Sequence, residues 1–127
     1  MRGILQRLFA VSLVITGLFG GTGITAPAAG AFEWWGAIAI SPTTGKVGYS
    51  QHLNSAIEAE QAAVGLCKAR DCRAVMNFTN ACGAVAQAFN TSWGLGWDQN
   101  STGAQNKALI SCSQHGTGCR VIGWICS

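Results

Sequence analysis

Cysteine and histidine are the residues of this chain that could do chemistry directly, and their spacing narrows which chemistry is open. Six cysteines, Cys67, Cys72, Cys82, Cys112, Cys119 and Cys126, accompany two histidines, His52 and His115, in 127 residues. A nucleophilic cysteine needs a free thiolate beside a base. A Cys-x-x-Cys redox pair is also missing, because four residues separate Cys67 from Cys72. Zinc takes thiolates, so a Cys/His metal site competes with oxidation of the same sulfurs. In a small exported domain six cysteines with plausible partners are disulfides, and neither a metal nor a cofactor is expected.

The histidines leave one catalytic alternative, a small secreted hydrolase using His52 or His115 with Asp98, or with Ser50 or Ser113 nearby. No GxSxG, HExxH or GxxxxGK[ST] motif accompanies them, and both read as solvated loop residues. Glu58 and Glu60 sit two apart on a predicted helix, so they diverge where a glycosidase pair must converge. Tryptophan offers contact rather than catalysis, combining a large apolar area with a polar handle. Trp93-Gly94-Leu95-Gly96-Trp97 spaces its aromatics with glycines beside Asp98-Gln99-Asn100, and Trp93 and Trp97 are the candidate partner-binding residues, as one exposed platform. Trp35 and Trp124 are expected in the core or on a strand face, with loss of Trp124 costing about 3 to 5 kcal/mol. Three matches to the glycosylation sequon, at Asn77, Asn90 and Asn100, are read as incidental.

The elements that must position these residues follow an N-terminal export signal. Arg2 and Arg7 precede the apolar run Leu8 to Phe19, and Ala29-Gly30-Ala31 offers small residues before a cut at Phe32; a cut after Ala28 satisfies the same rule. The run stops at Gly20, Gly21 and Gly23, short of the ~20 apolar residues a spanning helix needs, so no membrane span is expected after signal removal. Residues 1–31 are therefore the signal peptide and 32–127 a single domain. That domain carries six Lys or Arg against five acids, a net charge of +1. No charge block or basic stripe stands in the sequence to suggest nucleic acid or an acidic membrane as partner.

The domain is a tandem duplication, with pseudo-repeats at about 34–80 and 81–127. At an offset of 47, Gly36-Ala37-Ile38-Ala39 matches Gly83-Ala84-Val85-Ala86 and Cys72-Arg73 matches Cys119-Arg120. Small shifts bring Val47-Gly48-Tyr49 onto Leu95-Gly96-Trp97 and Cys67 onto Cys112. Each half reads strand, strand, helix, strand. Pro42-Thr43-Thr44-Gly45 supplies a hairpin turn, and Ser55-Ala56-Ile57-Glu58 a capping box. Ala59, Ala63, Leu66 and Cys67 give the first helix an apolar face, while Gly103 weakens the second helix by about 1 kcal/mol. Alanines on these helices and Gly36, Gly48, Gly83 and Gly96 on facing strands permit close approach. The fold expected is α+β, an antiparallel or mixed sheet with two helices on one side and three disulfides. Equivalent cysteines should pair alike, so Cys67 with Cys72 implies Cys112 with Cys119 and leaves Cys82 with Cys126. The two short loops contribute about 2 kcal/mol each and the long loop about 4.

The segments Trp35-Gly36-Ala37-Ile38-Ala39, Gly48-Tyr49-Ser50, Asn80-Ala81-Cys82-Gly83-Ala84-Val85-Ala86 and Cys119-Arg120-Val121-Ile122-Gly123-Trp124-Ile125-Cys126-Ser127 resemble the small secreted bacterial proteins of the domain of unknown function 4189 family. The resemblance implies a bacterial exported protein, pointing toward mycobacteria, with a place at the envelope or in host contact. It brings no catalytic residue. Within the repeat, Asn77 stands where the second half has Trp124, so no aromatic role is shared there. The expected function is a secreted, non-catalytic interaction domain whose partner is a protein or envelope component; a structural envelope protein is a further alternative beside the hydrolase.

Overall fold

Turn residues cut the apolar sequence into short strands, and in each half one capped helix interrupts them. The computed structural model describes residues 33–127, and the signal peptide expected over 1–31 lies outside the described residues. The first half contains β1 (Trp35–Ile40), β2 (Val47–Leu53), α1 (Ala56–Cys67) and β3 (Arg73–Thr79). The second contains β4 (Cys82–Gln87), β5 (Trp93–Asp98), α2 (Ser101–Ser113) and β6 (Arg120–Cys126). Gly45 takes the left-handed conformation that closes the first hairpin, at φ 78°. Helix α1 starts at Ser55, whose hydroxyl accepts a hydrogen bond from the Glu58 N–H at 3.2 Å. Helix α2 starts at Asn100, whose side-chain oxygen accepts from the Gly103 N–H at 2.7 Å.

The single sheet expected from sequence is in fact two. Both are three-stranded and antiparallel, in the orders β2-β1-β3 and β5-β4-β6. Nor do the helices share one side. The central strands β1 and β4 are buried on both faces, with small residues alternating with larger ones. Ala37 and Ala39 pack against Ala59, Ala63 and Cys67 of α1. Ile38 and Ile40 point the other way, into a core shared with Phe78 and with Val85 of the second sheet. Ala84 and Ala86 repeat the first arrangement with Ala104, Ala108 and Cys112 of α2. The layers therefore run helix, sheet, sheet, helix, because alternate residues of a strand face opposite ways.

Strand pairing aligns the repeat more finely than sequence matching does. Strands β4 and β6 follow β1 and β3 at an offset of 47, and the β-bulge between Ile38 and Ala39 recurs between Val85 and Ala86. Strands β2 and β5 match differently from the sequence expectation. Gly48 lies opposite Ala39 and Gly94 opposite Ala86, so Tyr49 corresponds to Leu95, Ser50 to Gly96 and Gln51 to Trp97. A hairpin loop one residue shorter in the second half, and a bulge at His52 (φ 61°) in the first, moved the register.

Three disulfides close the domain: Cys67–Cys72, Cys112–Cys119 and Cys82–Cys126. The first two tie the end of each helix to the start of the strand after it. The third joins residues directly opposed on β4 and β6. At the corresponding place the first half has Trp35 opposite Thr79 and no covalent bond.

Two further expectations change. Leu66 is exposed rather than on the apolar face of α1. Gly48 and Gly96 do receive helix backbone at close quarters, but Gly36 and Gly83 face the ring of Phe78, whose atoms would lie 2.7 and 2.6 Å from a Cβ built at those positions.

Candidate functional site

Both hairpin turns and both disulfide loops gather at one end of the sandwich, called here the hairpin end. Antiparallel pairing puts Ile40, Val47 and Arg73 there in the first sheet and Gln87, Trp93 and Arg120 in the second. Hollows lined from both sheets show that the two sets share this end. One is lined by Ile40, Arg73 and Val75 from the first half and Trp93 and Leu95 from the second, with Pro42 at its rim. A second, more polar hollow lies between the turn Pro42 to Gly45 and Gln87, Thr91 and Trp93. Trp93 is a wall of both.

The apolar hollow exists because the two seams between the sheets are not alike. Along one seam, Tyr49 of β2 lies over Gly123 of β6, so closely that a Cβ at Gly123 would clash with the phenol. Burial of that ring raises the Tyr49 pKa above its ordinary value of 10.0. The corresponding residues on the other seam are Leu95 of β5 and Met76 of β3. A large ring over glycine thus draws β2 and β6 together, whereas on the other seam Met76 turns over Gly83 of β4 and β3 and β5 lie farther apart. The opening holds about 170 Å³. An apolar cavity of roughly 150 Å³ is enough for a benzene-sized group.

The residues singled out from sequence distribute unevenly over this geometry. Trp93 packs partly into the inter-sheet core at the hairpin end. Trp97 is 46% exposed and lies toward the opposite end of β5, beside Gly83. The two share one face of β5, four residues apart with Leu95 between them, and differ in burial. Trp35 packs against the core beneath α1. Trp124 stands opposite Ala84 on the edge strand β6 and is 49% exposed, so the cost expected for truncating a buried ring does not apply to it. Its counterpart Asn77 donates to Glu60 Oε2 at 2.6 Å.

Among the described residues neither histidine side chain is hydrogen-bonded to Asp98, Ser50 or Ser113. His52 stacks edge-on with Trp34, their ring centroids 5.7 Å apart. His115 supplies its backbone carbonyl to Asn90 Nδ2 and Ser92 Oγ. Ser50 Oγ donates to the Ala59 carbonyl at 2.7 Å and Ser113 Oγ to the Ile110 carbonyl at 2.8 Å. Asp98 accepts from Lys107 Nζ at 2.9 Å, and that hydrogen bond holds its carboxyl below the ordinary value. Gly103 gives the carboxylate room beside the first turn of α2, which explains a glycine inside that helix. Asp71 is engaged too. The Ser41 hydroxyl, then the Thr43 hydroxyl and N–H, donate to it and lower its pKa, tying the first hairpin turn to the Cys67–Cys72 loop.

Sequence reasoning missed Phe89, Arg73 and Arg120. Phe89 is 83% exposed on the second hairpin, with its ring against Gly118. It borders a third hollow with Gln87, Thr91 and Arg120. The signal for the arginines was present in the repeated Cys72-Arg73 and Cys119-Arg120, which place one guanidinium at the same corner of each sheet.

Residues 35–126 match the domain of unknown function (DUF4189) family. Among solved structures, the NMR structure of Rv1813c from Mycobacterium tuberculosis is similar, with a TM-score of 0.57 and 27% sequence identity, covering 74% of this chain and 75% of that one. No curated protein matches.

Proposed function

Because the chain belongs to the DUF4189 family, whose description assigns no activity, we propose its function from its own surface: it is a non-catalytic interaction domain, secreted or held at the bacterial envelope, that contacts a partner protein or envelope component through the hairpin end. One observation carries this reading. Trp93 forms a wall of two adjoining hollows built from both halves, with exposed Phe89 and two arginines around them. Tryptophan and arginine are the side chains that most often dominate binding energy at protein contacts. Three disulfides agree with an oxidising compartment. No helix among the described residues is long and apolar enough to cross a membrane.

A photo-crosslinking residue placed at Phe89, compared with one at Trp97 and one at Ile57, tests the contact face in envelope and host extracts. The proposal expects a discrete adduct from position 89 and none from 57; adducts of equal yield from all three sites would defeat it. An adduct from position 97 alone would transfer the contact to the opposite end of β5.

A further inference from the structure

The domain is close to neutral in sequence, yet its charges are sorted in space. Of the six Lys and Arg residues described, five border hollows at the hairpin end: Lys46, Lys68 and Arg70 around one, Arg73 at the open seam and Arg120 beside Phe89. The sixth, Lys107, is paired with Asp98. Among the described residues that is the sole ion pair. Asp71 is the carboxylate that belongs to the hairpin end, and neutral hydroxyls already occupy it. Glu60 shares a hollow with Arg73 on the helix side of β3 but is bonded to Asn77 instead. The other acids lie elsewhere: Glu33 before β1, Glu58 in the first turn of α1 and Asp98 before α2.

Part of this sorting serves the helices. Acids near helix N-termini and cations near C-termini complement the macrodipole, and Lys46 Nζ does reach the Lys68 carbonyl at 3.4 Å. That accounts for Lys46 and Lys68. Each helix C-terminus carries only about half a negative charge, so the excess at the hairpin end stays positive. Arg73 and Arg120 begin edge strands, and neither has an anionic partner among the described residues.

The hollows with which these arginines are associated adjoin one another. The apolar seam and the polar hollow share Pro42 and Trp93, and the polar hollow shares Gln87 and Thr91 with the one beside Phe89. A continuous track therefore runs from Arg73 past Trp93 to Arg120. We infer that this track binds an extended acidic polypeptide segment, with carboxylates at Arg73 and Arg120 and one apolar side chain in the seam between β3 and β5. Charge complementarity selects an acidic partner, because the track offers cations and no free carboxylate. The seam selects a polypeptide, because a purely polar polyanion has nothing to fill an apolar opening of about 170 Å³. A lipid surface is a poorer match, since the track is concave. The inference rests on the hairpin end being the contact face.

The test uses the disulfide-bonded protein and fluorescence anisotropy with labelled ten-residue peptides. The probe is rich in Glu and Asp with one central Phe; controls replace that Phe by Ala or the acids by Lys. The Phe peptide should bind and weaken with added salt, and its Ala version should bind about tenfold or more weakly. Arg73→Gln and Arg120→Gln should each weaken it by about threefold, while Lys107→Gln leaves it unchanged. Both arginines are exposed, so these variants fold. Equal affinity for the Phe and Ala peptides, or binding indifferent to both arginine variants, overturns the inference. So does binding to phosphatidylglycerol vesicles with no binding of the peptide. A crosslink from position 89 together with failure of the acidic peptide would sink this inference while keeping the contact face.

Discussion

The two halves follow one chain path but hold their helices by different means. In the second half α2 lies so close over β5 that Gly94 and Gly96 meet helix backbone at Ala108, Cys112 and Ala104, with no space for a Cβ. The first half keeps a glycine at Gly48 only. Its second contact position is Ser50, which bridges a wider gap by donating its hydroxyl to the Ala59 carbonyl. Covalent closure differs as well, because Cys82–Cys126 ties β4 to β6 where the first half has Trp35 and Thr79. The first half compensates with polar side chains, Ser41, Thr43 and Asp71, between turn and loop. One architecture is thus stabilised by close backbone packing and a covalent tie in one copy, and by side-chain hydrogen bonds in the other.

The largest test of that contrast removes the covalent tie. Replacing Cys82 and Cys126 together with serine should lower stability by about 4 kcal/mol, against about 2 for Cys67 with Cys72 or for Cys112 with Cys119. Urea unfolding of the three double variants measures this, and equal losses would remove the extra tie as a distinction between the halves. Next comes a pair of substitutions that end in the same residue. Gly96→Ala should cost up to about 3 kcal/mol by forcing α2 off its sheet, whereas Ser50→Ala loses a single hydrogen bond worth about 1. If the two cost the same, α2 is no tighter than α1.

A smaller effect is expected at the edge strands. Trp124→Ala should cost about 1 kcal/mol, because the ring is already half in water. Thermal melts of Trp124→Ala beside Asn77→Ala show whether the aromatic adds anything over its polar counterpart. The smallest effect concerns acid. Asp71 and Asp98 both have folded pKa values below the ordinary 3.8, so each contributes stability that is complete above that value and is lost as pH falls through the lowered folded value. The difference between wild type and Asp71→Asn, or Asp98→Asn, should vanish below that window in pH-dependent melts. Salt separates the two. The Asp98 contribution comes chiefly from charged Lys107 and should shrink at high ionic strength, while that of Asp71, held by neutral hydroxyls, should persist.

Much of this architecture was legible because its signals are local. The capping box at Ser55, the turn at Gly45 and the matched cysteines each need only a few neighbouring residues, and the 47-residue offset held for β1 with β4 and β3 with β6. Strands β2 and β5 were misregistered because a one-residue loop difference and a bulge shift a strand without changing its composition. That the sheet is two sheets was encoded, though unread, in β1 and β4. Their alternate residues are Ala toward one side and Ile or Val toward the other, which asks for a close helix on one face and a second layer on the other. The basic end escaped composition altogether. Lys46, Lys68, Arg70, Arg73 and Arg120 come from four separate connections or strand starts, and only folding brings them together.

The unequal seams bear on how such a domain can be built. Two identical half-length chains associating about a twofold axis would present the same residue at both crossings, because an isologous contact repeats itself. Tyrosine over glycine would then shut both, and the leucine and methionine that replace them would leave both ajar. Joining the copies in one polypeptide releases position 49 from position 95 and position 76 from position 123. Fusion is therefore what allows one crossing to act as the bolt of the molecule and the other as its doorway, a division of labour closed to a symmetric homodimer.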